Sequence, residues 1–385
     1  MPRQSQHGTL IGARSCLAAW VSILVGCGHP LTNGPGRASL LVMGYETGRL
    51  LFIDPDTPAA TAEIRLDAYP VYAAAASPGG DDVFFVAGFP GRRKDLVRFD
   101  LKRRVLRWRL ELSSGDSLRT HNGAMLIADQ GLTVSHDGRR IYAAPALQDG
   151  VEGVATVDAE TSSVIGFVGP FLTYGPLRTI EDQQGAAGDV LLASGTRSMN
   201  RRAAAESAFV ILAPSFQILR SFVAPTGSSH IWDLEPLPGG DLLVVGGDRS
   251  IGLYNRQAGT YVHVVTRMGG GGVFGSLDGA SVVQTDCGLS SVRSSGLVRL
   301  LNGQLETRAV VDLNPFPLDE EPPCTARVAF SSTHDRLYVA AGSGRPRLDF
   351  LPEPSRVFVI ELGSANVRSV FDPKDWGVGW LFPIR

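Results

Sequence analysis

A tight turn followed by an apolar strand recurs seven times along the chain, and this repeat limits the folds that the sequence can adopt. The copies begin near residues 33, 77, 135, 185, 237, 276 and 331. Two more strand-like segments rich in Val, Ile, Leu, Phe and Tyr follow each copy, with Gly, Asp, Asn or Pro between them. A period of roughly 40–58 residues with several strands per unit predicts an array of small antiparallel sheets.

Six of the units have a further strand before the turn, and the first unit has none. These strands are expected at 71–76, 131–135, 177–181, 231–236, 272–276 and 326–331. The chain ends instead with an unpaired strand-like segment, WGVGWLFPIR, at 376–385. We therefore expect the C-terminal strand to complete the first unit and close a ring, since closure removes exposed sheet edges.

The turn-plus-strand motif, S-x-D-G-x-x-apolar-Y-V/A, is clearest at 135–144 and 331–340. It resembles the repeat of YVTN and WD-repeat-like β-propellers, and the resemblance covers about residues 33–385. The WD dipeptide is missing from the expected strand ends, which favours the YVTN-like kind. The resemblance implies an all-β fold, a seven-bladed β-propeller of four-stranded antiparallel blades, in a monomeric protein. A solenoid or a sandwich with coincidental turns is the alternative.

The N-terminus predicts a secreted, lipid-anchored protein. Arg3 and Arg14 precede an apolar stretch at 16–26, which is too short to span a bilayer but matches a signal peptide. Leu24-Val25-Gly26-Cys27 resembles a bacterial lipobox, which implies a signal peptide at 1–26, acylation (palmitate) at Cys27 and a tether at 27–32. Gly28 in place of an acidic residue favours the outer membrane of the cell envelope. An ordinary secretory signal with an incidental cysteine is the alternative.

Two cysteines remain in the predicted propeller. Cys287 and Cys324 are expected in loops on the same face of neighbouring blades, so an oxidising compartment favours a disulfide between them. Two free thiols are the alternative. Neither cysteine has the spacing of a zinc site.

The loops between the second and third strands of a blade, and between blades, are long and share one face, where binding residues concentrate. We expect this long-loop face to bind an envelope protein or an anionic glycan, because it collects basic residues. The formal net charge of −2 argues against nucleic acid. Solvated loops that merely tolerate insertions are the alternative. The basic candidates are Arg92, Arg93, Lys94, Arg197, Arg201, Arg202, Arg345 and Arg347.

Polar residues near the starts of the innermost strands are candidates for the mouth of a central channel. A histidine beside a carboxylate can act as a general base, and an aromatic ring can line a pocket. Ordinary packing and loop hydrogen bonds are the alternative. These candidates are Arg119, His121, Asn122, Arg178, Glu181, His230, Trp232 and Asp233.

Two functions of different class follow from these expectations. The favoured one is a lipid-anchored binding or scaffold module without a cofactor, acting through its long-loop face. The other is a periplasmic hydrolase or lactonase, with His121, Glu181 and His230 at the channel mouth and a channel-bound divalent cation. No metal-ligand repeat or GxSxG nucleophile motif supports the enzyme.

Overall fold

The computed structural model describes a chain built almost entirely of β-strands. It describes residues 40–44, 48–56, 59–66, 71–89, 93–113, 124–148, 151–169, 172–181, 189–196, 208–212, 218–227, 231–246, 250–265, 273–276, 279–286, 295–318, 323–343, 355–373 and 378–384. In these ranges no helix is long and apolar enough to cross a membrane.

The described strands form seven four-stranded antiparallel sheets, numbered here as blades 1 to 7. Blade 1 contains β1 (Leu40–Gly44), β2 (Arg49–Asp54), β3 (Ala59–Arg65) and the last strand, β28 (Val378–Pro383). Blade 2 contains β4 (Val71–Ala76), β5 (Asp82–Phe89), β6 (Arg93–Asp100) and β7 (Val105–Ser113). Blade 3 contains β8 (Ala124–Val134), β9 (Arg140–Gln148), β10 (Val151–Asp158) and β11 (Val164–Val168).

The other blades repeat this order from the innermost strand outward. Blade 4 contains β12 (Leu172–Glu181), β13 (Asp189–Thr196), β14 (Ala208–Leu212) and β15 (Ile218–Val223). Blade 5 contains β16 (Ile231–Pro236), β17 (Leu242–Gly246), β18 (Ile251–Asn255) and β19 (Thr260–Val265). Blade 6 contains β20 (Val273–Gly275), β21 (Val282–Thr285), β22 (Leu297–Leu301) and β23 (Thr307–Asp312). Blade 7 contains β24 (Pro323–Phe330), β25 (Arg336–Ser343), β26 (Ser355–Glu361) and β27 (Asn366–Phe371).

A serine at the end of the innermost strand holds the tight turn of several blades. In blade 3 the Arg140 amide donates to the Ser135 hydroxyl at 2.8 Å, and that hydroxyl donates to the Asp137 carboxylate at 2.6 Å. Gly138 in the same turn has a φ of 72°, which a residue without a Cβ adopts at no steric cost. Ser331 is bonded in the same way in blade 7, to the Arg336 amide and the Asp335 carboxylate. The repeated turn in the sequence is therefore a hydrogen-bonded structural unit.

The last strand closes the ring. Leu40 of β1 pairs with Pro383 of β28, and Val42 pairs with Leu381. The innermost strands contact one another in the order β28, β4, β8, β12, β16 and β20, while β24 contacts both β21 and β28. The all-β propeller of four-stranded antiparallel blades is confirmed, as is the completion of blade 1 by the C-terminal strand.

The apolar core lies between adjacent blades. Phe382 of β28 packs in one cluster with Leu41 and Met43 of blade 1 and Phe85 of blade 2. Ion pairs bridge other blades, since the Arg98 guanidinium in blade 2 binds Asp82 at 2.9 Å and Glu160 of blade 3 at 2.7 Å. Both kinds of contact join neighbouring blades of the ring.

Three innermost strands begin earlier than the sequence pattern predicts. Strand β8 begins at Ala124 rather than 131, β12 at Leu172 rather than 177, and β24 at Pro323 rather than 326. Each early part lies before a β-bulge, where the register shifts and the alternation of apolar residues is interrupted. Cys324 therefore lies in a strand, and its expected place in a loop is wrong.

Replacing a buried ring of β28 should weaken the closure of the propeller. Phe382 is 9% exposed, so we expect Phe382→Ala to lower the free energy of unfolding by about 3–5 kcal/mol. Urea denaturation measures the change. The control Val105→Ala removes an apolar side chain that is 44% exposed, and we expect a much smaller effect. Equal losses in the two variants would contradict the role assigned to β28.

Candidate functional site

Four innermost strands place a large polar or aromatic residue at the same level of the ring. Arg178, Asp233, Arg327 and Trp380 each lie three residues before the last residue of β12, β16, β24 and β28, respectively. The register of β16 and β24 shifts directly before this position, and the register of β12 shifts one residue earlier, before Leu177. Because bulges change the direction of side chains and are frequent beside functional sites, this level of the channel is the candidate site.

Arg178 of blade 4 joins two carboxylates of blade 5. Its Nε donates to Glu235 Oε2 at 3.2 Å, and its Nη2 lies 3.5 Å from Asp233 Oδ1. Its Nη1 donates to the Leu177 carbonyl at 3.0 Å. Burial lowers the pKa of Arg178, but attraction by Glu235 and Asp233 outweighs burial, and the pKa is raised above its ordinary value. The guanidinium is therefore held firmly in its charged form.

Glu235 is the group of this cluster that titrates near neutral pH. Burial raises the pKa of its carboxyl to about 7, and the charge of Asp233 adds to the effect. Arg178 and a hydrogen bond from the Gly275 amide of β20 oppose the rise. Burial wins because a carboxylate in a site with little water loses more hydration than its partners replace. Near pH 7 this carboxyl is present in both protonation states.

Arg327 of blade 7 is a less compensated cation. Its Nε donates to the Gly379 carbonyl at 3.1 Å, and its guanidinium carbon lies 5.9 Å from the centre of the Trp380 ring. Arg327 is solvent-exposed, unlike the buried residues that flank it in the strand, such as Thr325 and Ala329. Burial lowers the pKa of Arg327, Asp233 opposes this change, and Arg178 reinforces it. Attraction by Asp233 therefore outweighs repulsion by Arg178, but it does not offset the loss of hydration.

The structure brings together two of the predicted channel residues, Arg178 and Asp233. Glu181 ends β12 and Trp232 lies in β16, but the structure does not describe their side chains. The other predicted channel residues, which are Arg119, His121, Asn122 and His230, lie outside the described residues. A meeting of His121, Glu181 and His230 thus stays a prediction.

Sequence reasoning missed Glu235, Arg327 and Trp380. Aligning the innermost strands by their last residues would have found Arg327 and Trp380, which share the level of Arg178 and Asp233. Glu235 follows Asp233 by two residues in a strand, so both side chains lie on one side of β16. The signal was the presence of charged residues in strands that are otherwise apolar.

The predicted basic face is described only at its edge. Arg93 and Lys94 begin β6, where the chain enters from the β5–β6 connection, and the Lys94 side chain is half-buried. The other basic candidates, which are Arg92, Arg197, Arg201, Arg202, Arg345 and Arg347, lie outside the described residues, as does Cys27. Anion binding by this face therefore stays a prediction.

The backbone brings the neighbours of the two cysteines together. The Asp286 amide donates to the Thr325 hydroxyl at 2.8 Å, and the Thr325 amide donates to the Asp286 carbonyl at 3.2 Å. Cys287 follows Asp286 and lies outside the described residues, while Cys324 precedes Thr325 and is 4% exposed. These contacts support the disulfide, which itself stays a prediction.

The cluster can bind an anion and can exchange a proton. Its two guanidinium groups supply fixed positive charge, and the Glu235 carboxyl supplies a titrating group. Across the part of the chain that the structure describes, no three His, Cys, Asp or Glu side chains form a group able to hold a metal ion.

Comparison with solved structures shows the same fold in proteins of very different sequence. The β-propeller domain of Cps50 (Swd1) from Myceliophteria thermophila has a TM-score of 0.55 and 12% identity, over 82% of this chain and 90% of that one. Hydrazine synthase from Kuenenia stuttgartiensis has a TM-score of 0.54 and 14% identity, over 83% and 88%. No family model and no curated protein matches the chain. At these identities the likeness shows the β-propeller fold and no function.

The raised pKa of Glu235 predicts how stability depends on pH. Between about pH 4.5 and 7 the folded state binds more protons than the unfolded state, so the free energy of unfolding falls as the pH rises. For this one group we expect a loss of about 3 kcal/mol. Urea denaturation across this range should show the loss in the native protein and not in Glu235→Gln. The control Glu361→Gln changes an exposed ion pair with Arg368, and it should keep the native slope. Parallel slopes for the native protein and Glu235→Gln would contradict the assignment.

Oxidation of the cysteine pair is testable on the same protein. A loop of about 37 residues closed by a disulfide contributes roughly 3–4 kcal/mol in the chain-entropy model. We expect a reductant to lower the free energy of unfolding of the native protein by this order and to leave the double variant Cys287→Ser/Cys324→Ser unchanged. Peptide mass spectrometry without reduction checks the linkage. Recovery of Cys324 as a free thiol in the native protein would refute the pairing.

Proposed function

We propose that this protein is a lipid-anchored binding or scaffold module of the bacterial envelope, acting through the long-loop face of a seven-bladed propeller. Cys27 carries the lipid in this proposal, and the outer membrane is the expected site. The partner is an envelope protein or an anionic glycan, contacted by the basic candidates defined above.

The observation that carries the proposal is the unequal length of the connections at the two faces. Strands β7, β13, β21 and β25 end at one face, and the segments that follow them are 114–123, 197–207, 286–296 and 344–354. At the opposite face the innermost strands pass through tight turns such as 135–139 and 331–335. Because strand direction alternates within each blade, the long segments start from the same side of one rigid ring.

The channel cluster favours binding over hydrolysis in the part of the site that is described. Arg178 already bonds Glu235 and contacts Asp233, so these carboxylates have partners of opposite charge. The two carboxylates therefore position and neutralise the Arg178 guanidinium. The long-loop face therefore remains the first candidate for recognising a large partner.

A hydrolase or lactonase is the second candidate, and one observation favours it. The Glu235 carboxyl, with a pKa of about 7, can give and take a proton at neutral pH, as a general acid or base must. In this case His121, Glu181 and His230 would complete the site, with a divalent cation as cofactor. A screen of esters and lactones with the native protein and Glu235→Gln tests it, and turnover lost only in the variant would favour the enzyme.

Crosslinking in cells, followed by mass spectrometry, tests the binding module. We expect the native protein to crosslink repeatedly to one envelope partner. We expect this crosslink to be lost in the variant Arg197→Glu/Arg201→Glu/Arg202→Glu/Arg345→Glu/Arg347→Glu. Long-range attraction between a basic patch and an acidic partner is the physical reason. Cys27→Ser should remove fatty-acid labelling and the partner together if the anchor positions the face.

A matched control reverses charge at the opposite face. Lys102 and Arg139 are exposed at the tight-turn face, so Lys102→Glu/Arg139→Glu should keep the partner. Loss of the crosslinks in both sets of variants, or their retention in both, would contradict a role for the long-loop face.

A further inference from the structure

The channel cluster is unevenly distributed around the ring. Arg178, Asp233 and Arg327 come from blades 4, 5 and 7, and Trp380 comes from blade 1. At the same level, three residues before the ends of β4 and β8, stand Ala73 and Gly131. Small residues thus occupy the two positions between Trp380 and Arg178 at this level of the ring.

The wall of blade 2 extends this open side. After Val71 and Tyr72, strand β4 consists of four alanines, and Ala74, Ala75 and Ala76 are all partly exposed. An innermost strand with only methyl groups toward its end fills less of a channel than one with Leu or Phe. The innermost strand next to β28 in the ring therefore carries only small apolar side chains toward its end.

The charges of the cluster do not cancel when Glu235 is protonated. Arg178 and Arg327 contribute two positive charges, and Asp233 contributes one negative charge. Arg178 also has a described contact for each of its nitrogens, with Glu235, Leu177 and Asp233. Arg327 instead has one described hydrogen bond, from its Nε to the Gly379 carbonyl, and the residue is exposed to solvent.

We propose that the central channel binds a small organic carboxylate, with Arg327 holding the carboxylate and Trp380 packing against the apolar or aromatic part of the ligand. A planar guanidinium matches a carboxylate with two parallel hydrogen bonds, and an indole face suits a flat apolar group. This site is separate from the long-loop face, so its failure leaves the proposed function untouched.

Proton uptake by Glu235 accompanies binding. The charged groups that face this carboxyl are Arg178 from β12 and Asp233 from its own strand, and β20 adds the Gly275 amide. Strand β17, which pairs with β16, has the sequence LLVVG and adds no charge. Protonation of Glu235 leaves the cluster with a net positive charge, which favours a bound anion, so binding becomes tighter as the pH falls through 7. If only the protein with neutral Glu235 binds, a pKa of about 7 gives about a tenfold weaker affinity at pH 8 than at pH 6.

Calorimetric titration of the full-length chain in detergent tests the proposal, with benzoate as the probe and benzamide as its uncharged counterpart. Benzoate stays ionised between pH 6 and 8, so a change in affinity reports on the protein. We expect benzoate to bind more tightly than benzamide, with about a tenfold loss between pH 6 and 8 in the native protein. Glu235→Gln should bind benzoate with the same affinity at both values.

Two variants of Arg327 separate its charge from its shape. We expect Arg327→Gln to lose at least about tenfold in affinity for benzoate. The affinity of Arg327→Lys should lie between those of the native protein and Arg327→Gln, because an ammonium keeps the charge but not the planar pair of N–H donors. Arg308→Gln, at an exposed position of β23, is the matched control and should bind as the native protein does. Trp380→Phe should weaken benzoate binding while leaving sulfate binding unchanged.

Three results would overturn the proposal. These are equal binding of benzoate and benzamide at pH 6, equal affinities of Arg327→Gln and Arg308→Gln, and a native affinity for sulfate that equals the affinity for benzoate. The last result would mean that the channel attracts inorganic anions by charge alone. Because Arg327→Lys and Glu235→Gln are read independently, failure of Arg327→Gln to fold still leaves the proposal open to refutation.

Discussion

The pairing of β28 with β1 is the constraint on which the rest of the structure depends. It joins residues near 40 to residues near 380, so the closed ring depends on a contact between strands at opposite ends of the sequence. The two strands bury Leu41 and Phe382 in one cluster with Phe85 of blade 2, which couples closure to the contact between blades. Closure also covers the inner edge of β1, and unpaired edges favour aggregation.

Closure gives the channel its chemistry as well as its stability. Arg178, Asp233, Arg327 and Trp380 lie far apart in the sequence and meet because their strands end at one level around a common axis. Each of β12, β16, β24 and β28 is irregular close to this level. The bulges weaken the ladder hydrogen bonds locally, and the same change of direction lets polar groups turn toward one another. Their neighbours in the blades, such as Leu234, remain fully buried.

Sequence reasoning predicted the architecture well and the site only in part, and the difference has a physical cause. Turns such as Ser135–Gly138 are local, so their hydrogen bonds follow directly from adjacent residues. Even the closure by 376–385 followed from counting strands, because an unpaired strand needs a partner. The meeting of Arg178 with Glu235 depends instead on the register of two neighbouring blades, and bulges shift that register by whole residues. Alternation of apolar residues contains no information about such shifts, and for the same reason the start of β24 and the place of Cys324 were misassigned.

The channel also shows why ion pairs in a propeller need not serve stability. Arg98 joins two neighbouring strands of blade 2 through Asp82, and it also binds Glu160 of blade 3, where it reinforces packing. Arg178 and its carboxylates lie where the strands are least regular, and burial there works against the charge of Glu235. Well-packed apolar residues in place of a buried ion pair often stabilise a protein equally well or better. A cluster of charges at the irregular level of the channel is therefore weak evidence for a stabilising role.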